Sequence, residues 1–269
     1  MADYAKKAIY PALIFKEAWG IVLKSFKKLS AIFLIFYIPF LILALLSLAI
    51  AGDQSKILTL ISMILSLLVS VPLIFATCKV AQGEGVSIVE GILSGMKKYL
   101  LRYIALNLLM ALFLIGIIFA GFSVVVVLYS MVGRGSILLA FTTLIIPAII
   151  VTSIFVYFMI RWALAGVVCI AEGLGPIKSL KRSTVLIKNY VTPVVGEYTL
   201  IMVTLLLASI PYTAWNYIFN RQYYSAEVSI VSAAVNNIII HSIVTPFIIA
   251  VMVVMYKKLK EAIETNVCP

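Results

Sequence analysis

The chain has 269 residues, 64% hydrophobic and only 12% charged, with a formal net charge of +11. An ordinary soluble domain is about half apolar and about a quarter charged. The composition therefore excludes a typical soluble enzyme or binding domain, and several runs exceed the roughly 18 apolar residues that mark a membrane-spanning helix.

Met1 to Lys7 is polar, and the stretch after it is broken by Lys16, Glu17 and Lys24. That pattern lacks the clean apolar core of a cleavable signal, so none is expected. Beyond it the hydropathy predicts six spans, at about 30–51, 57–79, 103–131, 137–161, 190–219 and 228–256. The first pair is joined by "AGDQSK", the second by "VGRGS" and the third by "NRQYYSAE". Short turns of this kind suit antiparallel helix hairpins. The expected fold is all-α: a single integral membrane domain over 1–269, with six transmembrane helices in three hairpins.

Lysine and arginine divide unequally between the two sides. The hairpin turns hold only Lys56, Arg134 and Arg221, and the other eighteen of the 21 fall on the opposite side. Positive charge favours the cytoplasmic side, so the expectation is a multi-pass protein of the cell membrane with both termini cytoplasmic. The basicity reads as a topology signal, and nucleic acid is not an expected partner.

Each hairpin is preceded by a basic, amphipathic segment. Ala12, Phe15, Trp19, Val22, Phe26 and Leu29 recur at three- and four-residue steps, with Lys16, Lys24, Lys27 and Lys28 mostly on other faces. Ile88, Ile92, Met96, Tyr99 and Tyr103 repeat the rhythm opposite Glu90, Lys97 and Lys98. Ile177, Leu180, Thr184 and Ile187 do so a third time, opposite Lys178, Lys181 and Arg182. Three units result, about 8–80, 84–165 and 172–258, each an amphipathic interfacial helix followed by two spans. Any cytoplasmic linker of a membrane protein tends to be basic and amphipathic, which is the plainer account of the same pattern. Helices with cations on one face and apolar groups on the other settle among lipid headgroups. Lys27, Lys28, Lys97, Lys98, Lys178, Lys181 and Arg182 are the expected contacts to anionic lipid. Pro176 suits the first helical position of the third such segment, with Gly175 as its cap.

The run "RWALAGVVCIAEGLGPIKSLKRSTVLIKNY" (161–190) carries Arg161, Trp162, Glu172, Gly173, Leu180, Lys181, Arg182, Ser183, Lys188 and Asn189. It resembles the signature of the membrane domain of glycerophosphoryl diester phosphodiesterases and of the related YciC-like inner-membrane proteins. "KEAWGIVLKSFKKLSAIF" (16–33) looks like that family's N-terminal counterpart. The resemblance implies an all-helical domain of roughly six spans over most of the chain. Better-known members carry a soluble phosphodiesterase barrel that is not found in this sequence, so catalysis is not carried over.

The residues themselves offer little chemistry. His241 is the single histidine, too few for a multi-histidine metal site or a paired-histidine acid–base mechanism. Cys78, Cys169 and Cys268 form no close-spaced pair, and read as reduced core or tail residues. Gly173 and Gly175 lack the preceding strand and third glycine of a dinucleotide site. No metal, cofactor or enzymatic activity is expected. Asn236, Asn237 and His241 fall within the sixth span, with Asn237 and His241 on one helix face. They serve either as interhelical glue or as the lining of a polar path.

Prolines 39, 72, 147, 193, 211 and 246 mark most spans and invite kinks. Glu197 lies roughly 10 Å beyond Tyr190 at 1.5 Å per residue, so it should be neutral, paired or beside a wet cavity. Arg161 is the nearest expected cation by depth, which makes an Arg161–Glu197 contact the expected solution.

The leading reading is a non-enzymatic prokaryotic membrane protein whose basic cytoplasmic collar contacts anionic lipids, serving membrane organisation, lipid handling or partner scaffolding. A protein partner or a second copy of the chain is compatible with it. The rival is a small-solute transporter or channel built on kinked spans and the Asn237/His241 face. A membrane-embedded enzyme is a distant third.

Overall fold

The computed structural model describes the backbone of residues 10–51, 55–132, 137–220 and 226–267. Most side chains of 43–60, 131–144 and 215–241 lie outside the described residues. Among the described residues the chain is helical and has no strand. The helices are α1 (Pro11–Ala51), α2 (Ser55–Ala81), α3 (Ile88–Val132), α4 (Ile137–Trp162), α5 (Ala165–Ala171), α6 (Pro176–Ile187), α7 (Val191–Asn220) and α8 (Ala226–Val267). Among the described residues four helices are long and apolar enough to cross a membrane, or five if α6 and the start of α7 count as one bent span.

The basic segments join the apolar stretches after them in two different ways. The first two continue without a break: α1 runs 41 residues and α3 runs 45. At 1.5 Å per residue each is more than 60 Å long, about twice the hydrocarbon core of a bilayer. In the third, α6 ends at Ile187, and α7 leaves it at 104°. A separate helix ahead of the long one, expected three times, is therefore found only at 176–187. The sequence accounts for the contrast: "KKLS" and "KKYLLRY" contain no helix breaker, whereas "IKNY" is followed by Pro193, which has no N–H for the Asn189 carbonyl and crowds it. By contrast Pro39, Pro72, Pro147 and Pro246 all sit inside unbroken helices.

The packed core lies at the end of the bundle where the basic segments converge. Ile14, Val22, Leu29 and Phe33 of α1 are buried there with Leu73 of α2, Leu164, Leu186 and Met255. Helix α8 is central: 61% of its apolar stretch is buried, against 6% for α3. Edge-to-face contacts of Phe15 and Trp19 with Phe247 hold α1 to α8, and Lys258 pairs with Glu17 at 2.7 Å. The face of α1 that enters the core is Ile14, Ala18, Val22 and Leu29. Trp19 and Phe26, expected on that face, are exposed instead. Helix α1 has apolar side chains on more than one face, and periodicity alone does not say which of them meets protein.

Candidate lipid-facing site and its polar hub

The segment 161–190 folds into a bent support rather than a loop. Helix α4 stops after Trp162, the short α5 follows, and the chain reverses at Gly173, whose φ of +65° lies in the left-handed region that favours glycine. The sequence carries no signal for α5. Its residues are nearly all buried, from Ala165 to Ile170, and seven helical residues are too few for a periodic signal.

Hydrogen bonds tie this support to two other helices, α3 and α8, and hold its own parts together. Glu172 Oε1 accepts from the Tyr256 hydroxyl at 2.8 Å and from Arg182 Nε at 3.3 Å. Arg102 Nη1 donates to the Gly173 carbonyl at 2.6 Å. Ser183 Oγ donates to the carbonyl of Arg161 at 2.9 Å, and the Ser179 hydroxyl donates to the carbonyl of Gly175 at 2.9 Å. The inward face of α6 is thus Ser179, Leu180, Ser183, Leu186 and Ile187. The two buried serines explain how a helix with so few apolar residues can dock: each finds a backbone acceptor, so burying it leaves no orphaned polar group.

With that face turned inward, the cations of α6 point out. Lys178 and Lys181 are exposed, and so are Ile177 and Val185 at 61% and 55%. Lys27, Lys28, Lys97 and Lys98 are also exposed. None of these six lysines forms an ion pair among the described residues; Lys98 lies over the Tyr99 ring at 5.2 Å. Arg182 behaves differently from the lipid contact expected of it, being half-buried and held by Glu172. Its place in the sequence three residues from Ser179 puts it on the docked side of the helix.

Glu197 is fully buried, and neither of its carboxylate oxygens has a hydrogen-bond partner. The expected Arg161–Glu197 contact is not formed. The Arg161 guanidinium lies over the Tyr157 ring at 5.2 Å and donates to the Thr184 carbonyl at 3.4 Å. The inserted α5 and the α6 docking explain the discrepancy, because they draw Arg161 toward the end of α6. Glu197 instead shares a face with Val194 and Ile201, both in the core, while its neighbour Gly196 closes on Pro11 at the start of α1.

The side chains of Asn236, Asn237 and His241 lie outside the described residues, as does Cys268. Cys78 and Cys169 are buried free thiols. The Asn107 amide donates to the carbonyl of Tyr103 in its own helix, at 2.9 Å. An entirely apolar groove of about 430 Å³ runs between α3 and α4 beside Gly121 and Pro147. A groove of that lining suits hydrocarbon rather than a hydrated solute. No group of three or more metal-ligating side chains occurs among the described residues. Comparison with known families, curated proteins and solved structures finds no match for this chain.

Proposed function

We propose that the chain is a non-enzymatic integral membrane protein of a prokaryotic cell membrane. Six crossings form three hairpins, both termini are cytoplasmic, and the basic end contacts anionic headgroups. Its role is then membrane organisation, lipid handling or the scaffolding of a partner. The observation that carries this reading is the outward face of α6, where Lys178 and Lys181 stand beside exposed Ile177 and Val185. Aliphatic groups exposed among unpaired cations are costly in water and comfortable at a bilayer surface. The bend of 104° after α6 also leaves this helix free to lie flat while α7 crosses. The resemblance of 161–190 to the phosphodiesterase-associated membrane domain favours the same reading, without its catalytic barrel.

Lipid retention after purification is the test. Replacing Lys178 and Lys181 with Gln should reduce bound phosphatidylglycerol several-fold, and high salt should do the same to the unmodified protein. Retention indifferent to both would make α6 a structural connector. The transporter reading rests on the buried, unpartnered Glu197 carboxylate, and solute flux in proteoliposomes that is lost in Glu197→Gln would favour it.

A further inference from the structure

A second polar feature of the basic end is a pocket of about 250 Å³ between the last turns of α2, α5 and α8. Cys78, Ala81, Ala171 and Val253 form its apolar base, and Tyr256 stands beside them with its hydroxyl fixed on Glu172. The charged wall comes from one stripe of α8: Lys257, Lys260, Glu261 and Glu264. Their spacing of three, one and three residues keeps them on one helix face. Lys257 is positioned by a 3.2 Å hydrogen bond to the Ala81 carbonyl, and Lys260 stands 4.0 Å from Glu264.

This wall is not simply basic. Two cations are followed by two carboxylates, their centres about 6 Å apart along the axis at 1.5 Å per residue. The order has a direction relative to the bilayer. The lysines follow the apolar stretch that ends near Tyr256, and the glutamates lie one turn farther from it. A phospholipid headgroup with a terminal amine has the same order, with phosphate nearer the acyl chains and ammonium beyond.

We propose that this pocket binds the headgroup of a phospholipid bearing a primary ammonium, of the phosphatidylethanolamine class. Lys257 and Lys260 meet the phosphate, and Glu261 and Glu264 accept hydrogen bonds from the ammonium. A quaternary ammonium has no N–H to donate and is held by aromatic cages, whereas this lining has Tyr256 alone. A glycerol headgroup offers no cation to the glutamates, and a serine headgroup brings a second anion against them. The site is separate from the exposed lysines of α6 but rests on the same reading, that this end of the bundle meets lipid.

The test uses the full chain in nanodiscs of equimolar phosphatidylethanolamine, phosphatidylcholine and phosphatidylglycerol, with retained lipid counted by native mass spectrometry. Two partly exposed charge contacts imply a preference for phosphatidylethanolamine of roughly fivefold. Lys260→Gln with Glu264→Gln should bring it to parity while leaving the melting temperature and the phosphatidylglycerol bound through Lys178 and Lys181 unchanged. No preference in the unmodified chain, or one that survives the double substitution, overturns the assignment. Loss of phosphatidylglycerol in Lys178→Gln with Lys181→Gln is read in the same samples, so failure of the pocket and failure of the collar are told apart. Free phosphoethanolamine is the companion probe: stabilisation by it, without retention of the lipid, would overturn the lipid headgroup in favour of a soluble zwitterion.

Discussion

The Tyr256 hydroxyl donates to Glu172 at 2.8 Å and thereby fastens α8 to a turn 84 residues earlier in the chain. Arg182 shares the same carboxylate oxygen, so one atom joins α5, α6 and α8. Removing the shared acceptor leaves two donors unmet, whereas removing either donor leaves one bond in place.

Glu172→Ala should therefore destabilise more than Tyr256→Phe or Arg182→Gln alone. Hydrogen bonds to a charged group are worth about 1.5–3 kcal/mol each, and partial exposure of the Arg182 pair places that contact at the low end. Thermal unfolding in detergent across the single and double variants measures the order. Equal effects for the three single substitutions would mean that the residues do not act as a unit.

Gly173 and Gly20 should respond in opposite ways to alanine. At Gly173 a side chain has room, its nearest neighbour being Tyr99 Cε1 at 3.8 Å, but the φ of +65° penalises it. A loss of about 1 kcal/mol is expected there. Gly20 lies within α1 with nothing within 4 Å of an added Cβ, so Gly20→Ala should gain about 0.5–1 kcal/mol. The same melting experiment reads both.

Glu197→Leu should raise stability by about 1–3 kcal/mol, because it replaces a buried carboxylate whose oxygens have no partner. The Arg161→Gln and Glu197→Gln effects should add to within about 0.5 kcal/mol, as expected for residues that share no contact. A coupling energy well above that would show a pairing the structure does not contain.

Much of this architecture was legible in the sequence because it rests on long apolar runs and on charge placement. The helices at 57–79 and 137–161 appear within a few residues as α2 and α4, whereas of the stripe Ile177, Leu180, Thr184 and Ile187, expected among headgroups, Leu180 and Ile187 turn into the protein and Ile177 is exposed. The hub was less legible. Tyr256 lies 84 residues beyond Glu172, and no periodicity relates it to Glu172 or Arg182. Arg182 was indistinguishable from its lysine neighbours by charge, and only the docking of α6 separates their roles. Depth along the helix marks Glu197 as an awkward carboxylate. Depth does not name its partner, because distance from the membrane surface does not fix direction around a helix.

Orientation has its own test. With the native cysteines replaced, a cysteine at position 223 should react with an impermeant reagent added to intact cells, and one at position 181 should not. The imbalance of eighteen to three Lys and Arg is the basis of that expectation. The opposite labelling pattern would invert the topology.

The break between Ile187 and Val191 has a mechanical consequence. A span accommodates a thicker or thinner bilayer by tilting, and tilt applied to an unbroken rod such as α1 or α3 is carried along its whole length into the packed basic end. At α7 the same tilt is taken up in three residues, so α6 keeps its seat on the hub while the crossing segment moves. On the proposed topology, changes in membrane thickness are thus carried into the basic end by α1 and α3 and absorbed at the break before α7.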